Sequence, residues 1–465
     1  MNGRQAEKKG IKRWLTPDRL IWLLLLLLFI ERVIVFFELG VDYNSGADEV
    51  RYIPSGILFA KTGMISYGGP YPTAMIMPGI TVVIGLFSLV FGEGLALWTA
   101  LRFAWMILGV CTAYFVYKTV KLLSSAWCGL LAAMAFLLPN MAWMNNVVLT
   151  ETPFMLFFVL CIYCTFCMER FDGRKYFIGY LVSFMLGLMF RSNIIVMPLL
   201  TGAYLLWRKR DPKRLLCRGL ILAGTLLLFV IPWSIRNYIQ FDAFIPLTYG
   251  AGNPLLLGSY QGEGYPADEA LDYEENVTAV MREKYARYYR ESPEPYSEDQ
   301  LSEAGYYIQR YDPNGEVKEL RHAQYLSLQA DGIKARYRLR VWFENDPVGF
   351  LKSFLIIKPR WLLNWVWAWR QPLSVSYETL HRISQLNFLF CGLTVLLAAA
   401  LKKYRAPIVF LGAVYFVNVY ITALAFASDR YGTVLMPARY MIAGLGFALL
   451  AEAVRRVKQR GKNKI

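Results

Sequence analysis

The chain reads as an all-α polytopic membrane protein, and three observations carry that reading. Apolar runs long enough to cross a bilayer recur through both halves. Of 465 residues, 56% are hydrophobic and only 18% are charged, with a mean hydropathy of +0.35. Basic residues cluster at the ends of the apolar runs, as they do when they hold loops on the cytoplasmic side. The net charge of +16 is therefore a topology signal. Nucleic acid is excluded as a partner, because no basic face with interleaved aromatics is visible.

The first apolar run, Leu20 to Phe37, follows Arg4, Lys8, Lys9, Lys12 and Arg13 and leads to Glu38 with no small-residue cleavage site. It predicts an uncleaved first helix over 18–39 that starts in the cytoplasm. Loop 40–70 then carries Asp48, Glu49, Arg51 and Tyr52 where that helix should surface. Pro70, Pro72 and Pro78 bracket the next apolar stretch, 72–91. If 72–91 crossed, every later basic cluster would oppose the basic N-terminus. It is therefore predicted to dip in or to lie along the outer face. Spanning helices follow over about 95–117, 124–139, 151–168, 176–190, 192–207 and 214–233. They place Lys118, Lys121, Arg170, Arg174, Lys175 and the run Arg208 to Arg214 on the N-terminal side.

Counting back from Arg455, Arg456, Lys458, Arg460, Lys462 and Lys464 gives spans over about 433–452, 406–427 and 383–401. The stretch 348–369 then starts and ends outside. Its Trp361, Trp365, Trp367 and Trp369, with Lys358, Arg360 and Arg370, suit an interfacial helix. The sum is about ten spanning helices plus two that do not cross. Region 234–347 is rich in charge and in tyrosine, including Tyr285, Tyr288, Tyr289, Tyr306 and Tyr307. It predicts a small α-rich extracytoplasmic cap, with helices over 276–290 and 318–346. Three segments result: 1–233 as an N-terminal transmembrane catalytic module with outer loop 40–94, 234–347 as the cap, and 348–465 as the interfacial helix and C-terminal transmembrane helices.

The seven cysteines lie in or beside apolar segments, which argues against a disulfide framework. Cys161, Cys164 and Cys167 have helical spacing, better explained by buried packing than by a metal. His322 and His381 are the only histidines and exclude a histidine-rich metal site. The two halves do not mirror each other, unlike many transporters.

With this topology four charged features reach the outer surface: Asp48-Glu49-x-Arg51-Tyr52, Thr150-Glu151, Arg191, and Asp429-Arg430-Tyr431. Ionisable groups at membrane depth are costly and usually functional. Outside the membrane there is neither ATP nor nucleotide sugar, so an enzyme there draws on an activated lipid such as a sugar on polyprenyl phosphate. Asp48 is the candidate base that would deprotonate an acceptor hydroxyl. Arg51, Arg191 and Arg430 would hold the departing phosphate. The carboxylate pair could bind a divalent cation, but no third ligand is obvious and the metal-free version is preferred; no cofactor is assigned.

These residues resemble the GT-C membrane glycosyltransferases, above all glycosyltransferase family 39, the protein mannosyltransferases and aminoarabinose transferases. The resemblance rests on Asp48-Glu49-x-Arg51-Tyr52 after the first helix, on Tyr71-Pro72 and the run to Phe91-Gly92, and on Leu149-Thr150-Glu151. It extends to Gly187 through Arg191, to Pro232-Trp233-x-x-Arg236-Asn237-Tyr238 with Phe244 through Leu247, to Asp346-Pro347 through Lys358, and to Arg430-Tyr431 with Pro437. The chain departs from the pattern at Gly69 to Thr73, where several relatives carry a lysine or histidine beside the proline.

The resemblance implies a GT-C type helix bundle with outer-face juxtamembrane helices. It implies inverting transfer from a polyprenyl-phosphate sugar to an acceptor on the outer face. The outer region is the chain's own, so the acceptor, expected to be an envelope glycolipid, glycan or protein at a bacterial plasma membrane, does not follow from the resemblance. It makes Asp48 the base, Glu49 its support, and Arg51 a contact to the donor phosphate. Tyr52, Tyr71, Glu151, Arg191, Arg430 and Tyr431 complete the candidate donor and substrate site. Two other readings remain open: a transporter or flippase of lipid-linked saccharides, and an envelope-glycan ligase or polymerase.

Overall fold

A computed structural model describes residues 16–69, 71–290, 320–364 and 366–462. The basic residues ahead of the first helix, Pro70, Tyr306, Tyr307, Trp365 and Lys464 lie outside them. In chain order the helices are α1 (Pro17–Leu39), α2 (Glu49–Thr62), α3 (Gly79–Phe91), α4 (Leu95–Leu123), α5 (Ala126–Met134), α6 (Pro139–Met144), α7 (Glu151–Phe171), α8 (Arg174–Phe190), α9 (Met197–Trp207) and α10 (Pro212–Phe241). They continue with α11 (Gly252–Gly258), α12 (Val280–Lys284), α13 (Ala286–Arg290), α14 (Leu320–Asn345), α15 (Pro347–Lys352), α16 (Lys358–Asn364), α17 (Tyr377–Leu401), α18 (Arg405–Ala425), α19 (Asp429–Thr433) and α20 (Met436–Lys462). Among the described residues there is no strand, only a single bridge between Ser66 and Pro72. The protein is an all-α polytopic membrane protein.

Seven of these helices are long and apolar enough to cross a membrane: α1, α4, α7, α10, α17, α18 and the part of α20 up to Gln459. The other three expected spans exist as shorter pieces. Ala126–Leu137 and Ser192–Trp207 are apolar but below the length of a full span, and α8 has 17 residues. Helix α3 has 13 residues, about 20 Å at 1.5 Å per residue. That is short of a hydrocarbon core of ~30 Å, as are Ala126–Leu137 and Ser192–Trp207. The stretch 348–369, expected as one interfacial helix, is broken into α15, a π turn at Ser353–Ile357, and α16, which ends at Asn364.

The helices share a polarity. Lys121 pairs with Asp18, Arg208 with Glu169, and Arg218 with Asp172, so the basic loop ends meet at one end of the bundle. The start of α7 and the ends of α8 and α18 lie at the other. The core is built by α4, α5, α7 and α20, whose apolar faces are sealed from solvent. Helix α10 is different: none of its apolar window is fully buried, and Leu215, Leu222, Leu226 and Phe229 rest against the core from outside. Only its far end, with Trp233, Ser234, Asn237 and Phe241, is enclosed.

That enclosed end docks the cap onto loop one. Arg236 donates to the carbonyls of Thr73, at 2.7 Å, and Ile65, at 3.2 Å. Trp233 donates to the carbonyl of Leu247 at 2.6 Å and Asn237 to that of Ile245 at 2.8 Å. From α14, Gln324 accepts from Thr73 at 2.6 Å and donates to the Tyr67 carbonyl at 3.2 Å. A second core of Trp233, Phe241, Tyr249, Tyr285, Tyr288 and Tyr325 fills the cap. Tyrosine is frequent here because each ring buries apolar area while its hydroxyl finds a partner. Tyr288, for example, donates to the Phe241 carbonyl.

Candidate active site

The site is built where buried polar groups fix the short helix α6 and the turns that follow it. Residues 139–150, between α5 and α7, are buried throughout. Their polar groups are met by two arginines from neighbouring helices. Arg32 on α1 donates to Asn145 Oδ1 at 2.9 Å and to the Phe136 carbonyl at 3.2 Å. Arg102 on α4 donates to the Gly40 carbonyl at 2.7 Å and to Asn146 Oδ1 at 3.3 Å. Trp105 donates to the Leu149 carbonyl at 2.7 Å. Inside a bilayer such groups must be satisfied within the protein, so this lattice sets where α7 begins. It begins with Glu151.

Glu151 is fully buried and gathers two arginines. Arg191, at the end of α8, donates to Glu151 Oε1 at 2.6 Å. Arg430, in α19, binds both carboxylate oxygens, through Nε to Oε1 and through Nη2 to Oε2 at 3.2 Å. Its remaining arm, Nη1, reaches Asp48 Oδ2 at 2.7 Å. The other oxygen of Asp48 accepts from the Tyr67 hydroxyl at 2.7 Å. Asp48 keeps 33% of its side chain exposed, whereas Glu151 keeps none. Burial works against the Arg430 guanidinium, but Glu151 and Asp48 outweigh it and hold it charged. Aromatic faces flank both arginines. Arg191 lies 4.8 Å from the Tyr431 ring centroid and Arg430 lies 5.5 Å from that of Trp367.

Asp48, Glu151, Arg191, Arg430 and Tyr431 thus meet in one cluster. Arg51 is on its edge: it is exposed, with its guanidinium 5.5 Å from the Tyr67 ring. Tyr52 is buried beneath, its ring 5.6 Å from Tyr67, and burial together with Asp48 pushes its hydroxyl pKa up. Glu49 is used differently. It is buried, accepts from the backbone N–H of Val148 at 2.9 Å and from that of Ser45, and so ties loop one to the segment ahead of α7. Burial pushes its pKa up, against those two donors. Tyr71 is half-buried in the turn closed by the Ser66–Pro72 bridge. Asp429, next to Arg430, accepts from the Arg430 backbone N–H at 2.8 Å and from Ser428, and burial pushes its pKa up.

Asp48 and Glu49 do not present a joint carboxylate face, since each carboxylate is engaged by different partners. Among the described residues no three His, Cys, Asp or Glu converge as a metal site would require. Cys161, Cys164 and Cys167 are buried within α7.

Residues 74–235 match the dolichyl-phosphate-mannose-protein mannosyltransferase family. That stretch, about a third of the chain, is similar to a family of membrane glycosyltransferases. The matched stretch includes Glu151 and Arg191 and ends one residue before Arg236; Asp48 and Arg430 lie outside it. Among solved structures, ArnT from Cupriavidus metallidurans bound to undecaprenyl phosphate is 15% identical, over 91% of this chain and 77% of that one, with a TM-score of 0.40. The oligosaccharyltransferase AglB from Archaeoglobus fulgidus, in complex with an inhibitory peptide and a dolichol-phosphate, is 11% identical with a TM-score of 0.49. The comparison covers 94% of this chain and 51% of AglB. No curated protein matches the chain in sequence.

Two members of the cluster escaped sequence reasoning. Tyr67 carries no signal beyond being one of many aromatics, and its partner is 19 residues away. Trp367 reads as an interfacial tryptophan, yet it is fully buried between Arg430 and Trp143, whose ring centroid is 4.8 Å away.

Proposed function

We propose that the protein transfers a sugar, with inversion, from a polyprenyl-phosphate donor to an acceptor on the extracytoplasmic face of a plasma membrane. Asp48 is the general base. Arg191 and Arg430 hold the donor phosphate, with exposed Arg51 completing the grip from the edge. Glu151 touches no substrate; it orients the two guanidiniums. The observation that carries this reading is a partly exposed aspartate sharing one arginine with a buried glutamate that braces a second arginine.

The chemistry follows from the charges. A phosphodiester that releases its sugar becomes a dianion, and guanidiniums set in place beforehand lower the cost of that developing charge. The attacking hydroxyl loses its proton as it bonds to the anomeric carbon, and a carboxylate beside the phosphate grip is placed to take it. The outer-face assignment is supported by helix polarity, since the site lies at the bundle end opposite the basic loop ends.

Asp48→Asn tests the base. The variant should bind polyprenyl phosphate yet lose transfer by roughly 10²–10⁴-fold. Turnover of a polyprenyl-phosphate sugar at the native rate would remove Asp48 from that role.

A further inference from the structure

We infer that Arg430 also guards the base: it holds Asp48 in the donor-free protein, and only an arriving donor phosphate draws it off. The inference rests on the proposed donor reading. In the structure no oxygen of Asp48 is idle. Oδ1 takes the Tyr67 hydroxyl at 2.7 Å and Oδ2 takes Arg430 Nη1 at 2.7 Å. While both donors are in place, an acceptor hydroxyl has to displace one of them to reach an oxygen of Asp48. Arg430 is built to let go with one arm only. Nε and Nη2 are fixed on buried Glu151, whereas Nη1 points to the partly exposed Asp48. A guanidinium has separate arms, so Nη1 can change partner while the other two bonds persist.

The sequence of events follows. A donor phosphodiester, with one negative charge, enters beside Arg191 and Arg430, and a non-bridging oxygen replaces Asp48 on Nη1. Oδ2 of Asp48 is then free for the acceptor hydroxyl. The acceptor oxygen bonds to the anomeric carbon, the carbon–oxygen bond to phosphate breaks, and its electron pair leaves with the polyprenyl phosphate. The hydroxyl proton goes to Asp48. The aspartate gains one positive charge's worth of proton as the phosphate gains one negative charge, so the pocket's total charge is unchanged. Neutral Asp48 no longer competes for Arg430, which stays on the dianion. When Asp48 returns its proton to water it recaptures Nη1, which loosens the spent lipid phosphate. Donor therefore binds before the acceptor is activated, and product release is coupled to recharging of the base.

A binding cycle on the full chain in nanodiscs tests this, with farnesyl phosphate as the probe. Asp48→Asn removes the charged competitor for Nη1 and should bind farnesyl phosphate roughly tenfold tighter than the native chain, the scale of one charge-assisted hydrogen bond. In an Arg430→Gln background the same substitution should tighten binding by less than about twofold. In an Arg191→Gln background the tenfold gain should persist, because Arg191 grips phosphate without touching Asp48. If Arg430→Gln fails to fold, Arg430→Lys replaces it: a lysine keeps the charge but lacks the arm to Asp48, and the gain should again collapse. Equal tightening with and without Arg430 would mean that Asp48 merely repels the phosphate, and would overturn the inference while leaving the donor site standing. No binding of farnesyl phosphate to the native chain would overturn the donor reading itself, and this inference with it.

Discussion

Replacing Glu151 by glutamine keeps the shape of the side chain and removes its charge, which makes it the sharpest probe of how the cluster is held. Glu151 is completely enclosed and accepts from three guanidinium nitrogens, with Thr150 adding a hydroxyl at 3.3 Å. Removing one partner of a buried ion pair costs ~3–5 kcal/mol, because the charge left behind is uncompensated. Here Arg430 would keep Asp48, and both arginines retain some exposure, so the lower end, ~3 kcal/mol, is the better figure. The chain in detergent should melt several degrees lower. Turnover should fall at least ~10²-fold, since positioned donors to a developing anion are worth about that much each. Fluorescence-monitored melting and turnover of a polyprenyl-phosphate sugar read the two effects separately. A variant that melts with the native protein and turns over at its rate would show that Glu151 braces nothing.

Arg191→Ala should weaken polyprenyl phosphate binding by about 10–100-fold, the worth of a hydrogen bond to a charged group; unchanged affinity would remove it from the phosphate grip. Lys358 is fully buried, lies 3.7 Å from the Phe354 ring centroid, and has no hydrogen-bond partner among the described residues. Burial pushes its pKa down from 10.5 to about 7. Below that value folded and unfolded chains both carry the proton, and between it and 10.5 only the unfolded chain does. Stability should therefore climb with pH across that window by up to ~1.4 kcal/mol per unit. Lys358→Met should flatten the climb and raise the melting temperature at neutral pH, as thermal scans across pH would register. A methyl group at Gly109 would sit 2.0 Å from Asn145 Oδ1. Gly109→Ala should thus cost ~1–3 kcal/mol and depress turnover by displacing the start of α7, read by melting and by assay.

The bundle was legible because hydrophobic runs and basic loop ends are local signals. Seven expected spans returned as long apolar helices. The span at 124–139 came back shorter, as Ala126–Leu137, because Pro139 opens α6, while 176–190 and 192–207 returned at the expected extent, the latter as a 3-10 turn leading into α9. The gathering of Asp48, Glu151, Arg191 and Arg430 was legible for a different reason. Helix polarity alone put all four at one end. What polarity cannot supply is pairing within the cluster. Asp48 and Arg430 are 382 positions apart, and nothing local tells Glu49, one residue on, to turn inward and hold Val148 instead. Tyr67 was missed for the same reason, since a tyrosine that serves one distant carboxylate looks like any other aromatic.

Loop one hangs from two supports. Glu49 fastens it to the membrane core, while Arg236 and Gln324 fasten it to the cap. The cap is therefore no detachable accessory. A chimera that grafts another relative's outer region onto this bundle would arrive without matching anchors for Ile65, Tyr67 and Thr73, and Asp48 would shift with them. Exchange of the outer region should therefore succeed only when loop one travels with it, so that the two are inherited as a single unit.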